Sequence, residues 1–311
     1  MTSFTPRYRK THQLGDLRHK VEQARARLLD CTLCPRQCRV DRTSASTGYC
    51  RTGDKAVVAS YNAHFGEEAP LVGDHGSGTI FFSNCNLRCN FCQNYDISHH
   101  AMGQEVSDHQ LADIMLALQA GGCHNINFVT PSHVVPQILS ALILAVDQGL
   151  NIPLVYNSGG YDTLETLQIL DGVIDIYMPD FKFWDTEIAE QTCQAPDYSQ
   201  VAQNAIIEMH RQVSDLAIDD HGLAVSGLLV RHLVLPQGLA GTPNVMAFIA
   251  TRVSSATYVN IMPQYRPCGK AAQIVALNRP ITNKEFNQAL ADAAKAGIHR
   301  LDRRRRSFIL F

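Results

Sequence analysis

From Gly78 onward the chain alternates between short apolar runs and longer stretches whose apolar residues recur every three or four positions. The short runs predict strands at 78–83, 124–130, 152–157, 173–179, 227–235 and 257–262. The longer stretches predict helices with legible ends. One begins at Ser107, with Gln110 three residues on as its capping-box partner, and stops at Gly121 and Gly122. Others cover 134–149, ending on Gly149, and 199–213. The last starts at Thr282, with Glu285 as box partner, and ends near Gly297. Ahead of this region, Leu14 to Leu29 carries apolar residues at helical spacing among Arg, Lys and Glu, which predicts an amphipathic helix.

Strands that alternate with helices imply a parallel sheet, because parallel neighbours need long crossover connections. Six repeats fall short of a closed eight-stranded barrel. The pattern therefore predicts an α/β fold, an open (β/α)6 partial TIM barrel spanning 77–311 with a C-terminal helix and basic tail. Residues 1–76 form a separate N-terminal unit in this scheme, a helix followed by a cysteine-rich metal-binding extension. Sites in such sheets lie at the C-terminal strand ends, on the βα loops.

Composition narrows the function classes. Apolar residues make up 45% and charged residues 18% of the 311, as in compact proteins and unlike disordered ones. The net charge of −2 supplies no basic field for nucleic acid. The one concentrated basic run, Arg303 to Arg306, is expected to be a solvated face; the alternative is a docking patch for an acidic electron donor or partner. No apolar stretch is long enough to span a bilayer, and the first ten residues lack the apolar core of a secretory signal. Ten cysteines in such a chain read as metal ligands in a reducing, cytoplasmic compartment.

The densest chemistry is Ser83-Asn-Cys-Asn-Leu-Arg-Cys-Asn-Phe-Cys-Gln-Asn94. Cys85, Cys89 and Cys92 give three thiolates at C-x3-C-x2-C spacing, and a cubane of four irons bound by three of them keeps one iron open. A zinc site or three buried thiols is the competing account, but no fourth ligand lies nearby in sequence. With Phe91 before the third cysteine and the apolar strand 78–82 leading in, the stretch resembles the radical S-adenosylmethionine (SAM) superfamily. The resemblance implies a 4Fe–4S cluster whose open iron is chelated by SAM. It also implies reductive cleavage of SAM to methionine and a 5′-deoxyadenosyl radical, which takes hydrogen from a substrate. The open (β/α)6 barrel is likewise what that superfamily uses.

A second group, Cys31, Cys34, Cys38 and Cys50, falls as C-x2-C-x3-C-x11-C. Four sulfurs on a short segment with Gly and Pro turns suit a metal, either a four-thiolate zinc or an auxiliary 4Fe–4S cluster. Cys123 and Cys193 are expected to be packed thiols. Cys268 follows the last strand and is a candidate ligand or hydrogen donor. His99, His100 and His133 show no ligand spacing and are expected to be hydrogen-bonded or exposed.

Polar groups at strand ends supply the candidate SAM and substrate contacts. Thr130 and Pro131 follow the second strand, Asn157 and Ser158 the third; Asp180 and Lys182 follow the fourth, and Arg231 lies on the fifth. An internal salt bridge is the competing account for Asp180 and Lys182. The stretches at 127–131, 175–182, 231–236 and 262–266, with the quartet's Cys-x2-Cys-Pro-Arg-x-Cys, resemble a branch related to pyruvate formate-lyase activating enzymes. Val129 to His133 stands where many radical SAM enzymes carry Gly-Gly-Glu-Pro, so Thr130 and Pro131 take the SAM amino contact only by position. The branch implies an activase that draws hydrogen from a glycine of a partner enzyme, fed by a reduced flavodoxin- or ferredoxin-type donor. The alternatives are radical modification of a peptide or small metabolite using an auxiliary cluster, and a non-catalytic metal-binding adaptor.

Overall fold

The computed structural model describes residues 4–44 and 46–302; the basic run at 303–306 lies outside the described residues. Its strands are β1 (Ala56–His64), β2 (Ser77–Phe82), β3 (Gln104–Val106), β4 (Ile126–Val129), β5 (Leu154–Asn157), β6 (Ile176–Tyr177), β7 (Ala217–Ile218), β8 (Ala224–Leu233) and β9 (Tyr258–Met262). They join one sheet in the order β3-β1-β2-β4-β5-β6-β8-β7, with β9 paired to β8. Neighbours from β2 through β4, β5, β6 and β8 to β9 run parallel, so their C-terminal ends open on one side. The result is an α/β fold with an open, unclosed sheet, consistent with a partial barrel.

The two-residue alternation of the strands sorts their side chains between two cores. Phe128, Tyr156, Leu228 and Val230 pack with the helices in the main cluster. Val155, Ile176, Leu229 and Tyr258 form a second cluster on the opposite face, with Leu71. Both predicted capping boxes are present: Ser107 with Gln110, and Thr282 with Glu285. Helices occupy Val135–Asp147 and Tyr198–Val213, as the periodicity predicts.

The structure departs from the sequence expectation in several places. The helix expected over Leu14–Leu29 narrows to Asp16–Ala26, starting after Gly15 at φ +83°, and a separate helix, Arg7–Gln13, precedes it. The expected strand at 173–179 shortens to Ile176–Tyr177. β1 lies within 1–76 yet pairs antiparallel with β2, from Val58 opposite Phe82 to His64 opposite Ser77, so the sheet crosses residue 76. Half of β1 is exposed, which leaves no hydrophobic alternation to find it by. No helix of the described residues is long and apolar enough to cross a membrane.

Two buried histidines tie strand ends to neighbouring loops. His133 Nε2 donates to the Ser83 carbonyl at 2.9 Å, and His232 Nδ1 donates to the Phe181 carbonyl at 2.7 Å. Burial holds both neutral, His133 at about 3 with Arg42 adding to the effect, and His232 at about 4. Their folded values lie below the ordinary imidazole value. They therefore contribute full stability above about pH 6.5, lost as pH falls toward 4. Between pH 8 and pH 5 the pair should take up about two protons on unfolding and remove up to about 4 kcal/mol of stability. Urea titrations across that range check this; replacement of His232 by glutamine should flatten the pH slope by about half, and an unchanged slope would refute the assignment.

Candidate active site

The cysteine loop leaves β2 through two tight turns, with Asn84 at φ +71° and Arg88 at φ +51°. Backbone N–H groups of Leu87 and Arg88 donate to Cys85 Sγ at 3.3 and 3.5 Å. Asn86 Nδ2 donates to the Tyr161 carbonyl at 2.7 Å, pinning the loop to the segment after β5. Phe91 meets Phe183 and Tyr265 edge-on, with centroids 5.7 and 6.0 Å apart, so the aromatic before the third cysteine is an apolar anchor. Arg36, from the N-terminal cysteine segment, reaches across to donate to the carbonyls of Asn86 at 2.9 Å and Cys193 at 2.7 Å. Cys193 Sγ lies 3.2 Å from Cys89 Sγ, a pairing that sequence spacing gave no means of finding.

The three thiols line a cavity of about 430 Å³ at the C-terminal ends of the parallel strands. Thr130 enters from β4, Asn157, Ser158 and Gly159 from β5, Asp180 and Lys182 from β6, Arg231 from β8 and Gln264 from β9. Gly160, at φ +75°, lets the β5 loop approach β6; a Cβ there would lie 2.2 Å from the Asp180 carbonyl oxygen.

Charge is concentrated on one wall. Lys182 Nζ donates to Asp180 Oδ2, while Arg231 Nε lies 3.4 Å from Asp180 Oδ1 and 3.6 Å from Glu68 Oε1. Burial alone would raise the Asp180 carboxyl, but Lys182 and Arg231 outweigh it and hold it below its ordinary value. Glu68 is pushed up by burial. Asp180 Oδ1, Arg231 Nε and Gln264 Oε1 are buried without a hydrogen-bond partner, so the wall is poised for a polar ligand. Burial, and then Cys89, push the free Cys85 thiol up to about 12; metal binding there must displace its proton.

Comparison with known proteins places this geometry. The radical SAM superfamily profile matches residues 79–216. An uncharacterized protein of Methanocaldococcus jannaschii is 34% identical over 284 residues, which cover 89% of this chain and 78% of that protein. Residues 79–216 form a radical SAM superfamily domain. A radical SAM methyltransferase from Sphaerobacter thermophilus shares the fold, with a TM-score of 0.50 and 11% identity over 71% of this chain. The match spans 64% of that enzyme, less than two thirds of its length.

Radical SAM membership implies a 4Fe–4S cluster and SAM, and the residues fit both. Soft thiol donors on one tight loop suit iron–sulfur ligation. Among the described residues no three Cys, His, Asp or Glu side chains converge as they would on a single ion. Ligands of a cubane each meet a different iron and need no such convergence. Beside the thiols, adjacent cationic and anionic side chains match the carboxylate and amino groups of an amino acid.

Not every expected residue reaches the cavity. Pro131 and Cys268 are absent from its lining. The Ser158 hydroxyl is committed to Asp162 Oδ2 at 2.7 Å, which Tyr156 also satisfies at 2.9 Å. Arg231, a candidate contact for SAM or substrate, already faces Glu67, Glu68 and Asp180. Glu67, Glu68 and Gln264 were not singled out from the sequence; the two glutamates sit in the loop after the unforeseen β1. Asp180 and Lys182 form the internal ion pair that was the competing account, and they do so on the cavity wall. His99 stacks on Tyr95 at 3.9 Å, and Cys123 is buried in the main core.

Proposed function

We propose that the protein is a SAM-cleaving hydrogen-abstracting enzyme with Cys85, Cys89 and Cys92 as ligands of a 4Fe–4S cluster. One observation carries this: a single cavity joins the three thiols to polar ends of the parallel strands. When bound, the cluster and SAM supply one-electron reduction of a sulfonium and a 5′-deoxyadenosyl radical. The chain's part is positional. Lys182 and Arg231 present positive charge to the SAM carboxylate, Asp180 and Glu67 present negative charge to its amino group, and Asn157 and Thr130 offer neutral hydrogen-bonding groups. Phe81, Phe82 and Leu87 supply the apolar side that limits water. In this reading the six parallel strands act as the (β/α)6 half-barrel.

The stretches at 127–131, 175–182, 231–236 and 262–266 support an activase, with a glycine of a partner enzyme as hydrogen donor. A flavodoxin- or ferredoxin-type protein would deliver the electron. A second reading, modification of a peptide or small metabolite, draws support from the quartet segment, whose Arg36 touches the radical loop directly. Anaerobic protein reconstituted with iron and sulfide should form 5′-deoxyadenosine from SAM and dithionite. With a glycyl-radical partner added, the activase reading expects a doublet electron paramagnetic resonance signal from the remaining α-hydrogen. Deoxyadenosine without that signal would favour the second reading. No SAM cleavage by a reduced cluster would overturn the proposal and leave a metal-binding adaptor.

A further inference from the structure

The N-terminal segment buries a cation with no carboxylate to balance it. Arg42 is 1% exposed, and its Nε has no hydrogen-bond partner. Its Nη2 donates to the Gly53 carbonyl at 2.9 Å, and Nη1 points at Cys31 Sγ, 3.8 Å away. Among the described residues no Asp or Glu lies within ion-pair distance of it. Around it stand thiols: Cys50 lies in the field of Arg42, and Cys34 lies within electrostatic reach of Cys31, Cys38 and Cys50. A guanidinium stays charged at any ordinary pH, whereas unligated thiols near neutrality are uncharged. A buried charge needs a counter-charge, and metal ligation is what makes thiols anionic.

We propose that Cys31, Cys34, Cys38 and Cys50 ligate a metal centre of net charge about −2, with Arg42 as its buried counter-ion. Four thiolates around an oxidised 4Fe–4S core carry that charge; among the described residues the sulfurs do not converge as they would on a single zinc, whereas ligands of a cubane each meet a different iron. Local backbone geometry serves the same end. Gln37, Arg39 and Arg51 take left-handed turns that fold the segment around the sulfurs. The Tyr49 N–H donates to Cys38 Sγ at 3.2 Å, and a Cβ on Gly48 would lie 2.7 Å from that sulfur. The centre also braces the radical loop. Arg36 sits between two of its ligands and grips the Asn86 carbonyl, while Thr52, two residues past Cys50, accepts from Asn84 Nδ2 at 3.2 Å. The assignment does not depend on SAM cleavage and stands or falls separately.

The test uses the full chain with Cys85, Cys89 and Cys92 replaced by alanine, so that retained metal reports on the quartet. It is isolated both as expressed and after anaerobic iron–sulfide loading, and metals and sulfide are counted. About four irons with matching sulfide per chain are expected after loading, and one tightly held zinc in their place would overturn the cluster assignment. Adding Cys34→Ser and Cys50→Ser should empty it. With the quartet intact and only Cys85, Cys89 and Cys92 replaced, Arg42→Met should release metal to a chelator about tenfold faster or more, and Arg42→Lys, which keeps the charge, less so. Less than about a tenth of a metal centre per chain by both routes would overturn the site. Equal release from Arg42→Met would overturn the role of Arg42. The metal count needs no Arg42 variant, so it decides the site even if Arg42→Met does not fold.

Discussion

A chain carrying Cys89→Ala should form less than about one-thousandth of the wild-type 5′-deoxyadenosine, a loss equivalent to about 4 kcal/mol of barrier. The physical reason is ligand count. Three thiols line the cavity, and removing one leaves a cluster core with two protein donors on a loop shaped for three. Cys193 complicates the single variant, because its sulfur lies 3.2 Å from that of Cys89 and offers a substitute thiol. Cys89→Ala with Cys193→Ser is therefore the decisive chain, and residual activity in the single variant alone would measure how well Cys193 substitutes. Iron per chain and deoxyadenosine after dithionite reduction are the readouts. Wild-type turnover in the double variant would remove Cys89 from the ligand set and sink the central proposal.

How far the site could be read in advance depended on whether its chemistry was local. Cys85, Cys89 and Cys92 lie within eight consecutive residues, so the loop was visible without any fold. Asp180, Lys182 and Arg231 were found by a second route: strand periodicity placed them at C-terminal ends, and the parallel pairing puts them in one cavity. Glu67 and Glu68 escaped because they follow β1, whose exposed half shows no alternation, and because their partner Arg231 lies more than 160 residues away. The Cys89–Cys193 contact escaped for the same reason, spanning 104 residues between the cysteine loop and the end of the helix Thr186–Cys193. The fold divides similarly. Helix ends marked by Ser107 and Thr282 were legible from side chains that satisfy backbone donors locally, whereas β6 shrank because Asp175 and Pro179 bracket it more closely than its apolar run implies.

Replacement of Arg231 by methionine should destabilise the folded chain by about 3–5 kcal/mol at pH 7, because it strands buried carboxylates rather than merely deleting a contact. Glu68 is 1% exposed and Asp180 is largely buried, at 18% side-chain exposure, and Arg231 is a shared cation between them. Asn260 Nδ2 still donates to Glu68 Oε1 at 2.6 Å, and Lys182 still pairs with Asp180, so Glu68 is the group left short of charge. Burial already raises its carboxyl, and loss of Arg231 should raise it further. A carboxyl raised in the folded state contributes stability fully present below its unfolded value, lost as pH rises through the folded one. The penalty of Arg231→Met should thus be larger near neutrality than in acid, shrinking as pH falls and Glu68 becomes protonated in both chains. Thermal melts should show a drop of roughly 5–8 °C near neutrality. Arg231→Lys keeps the charge and should recover much of it, but loses the planar fork that spans several oxygens at once. A pH-independent loss, equal in both variants, would mean that Arg231 acts through packing and not as the counter-ion of Glu68. SAM affinity adds an orthogonal readout: if the guanidinium also presents charge to the SAM carboxylate, KM for SAM should rise at pH values where the two variants are equally folded.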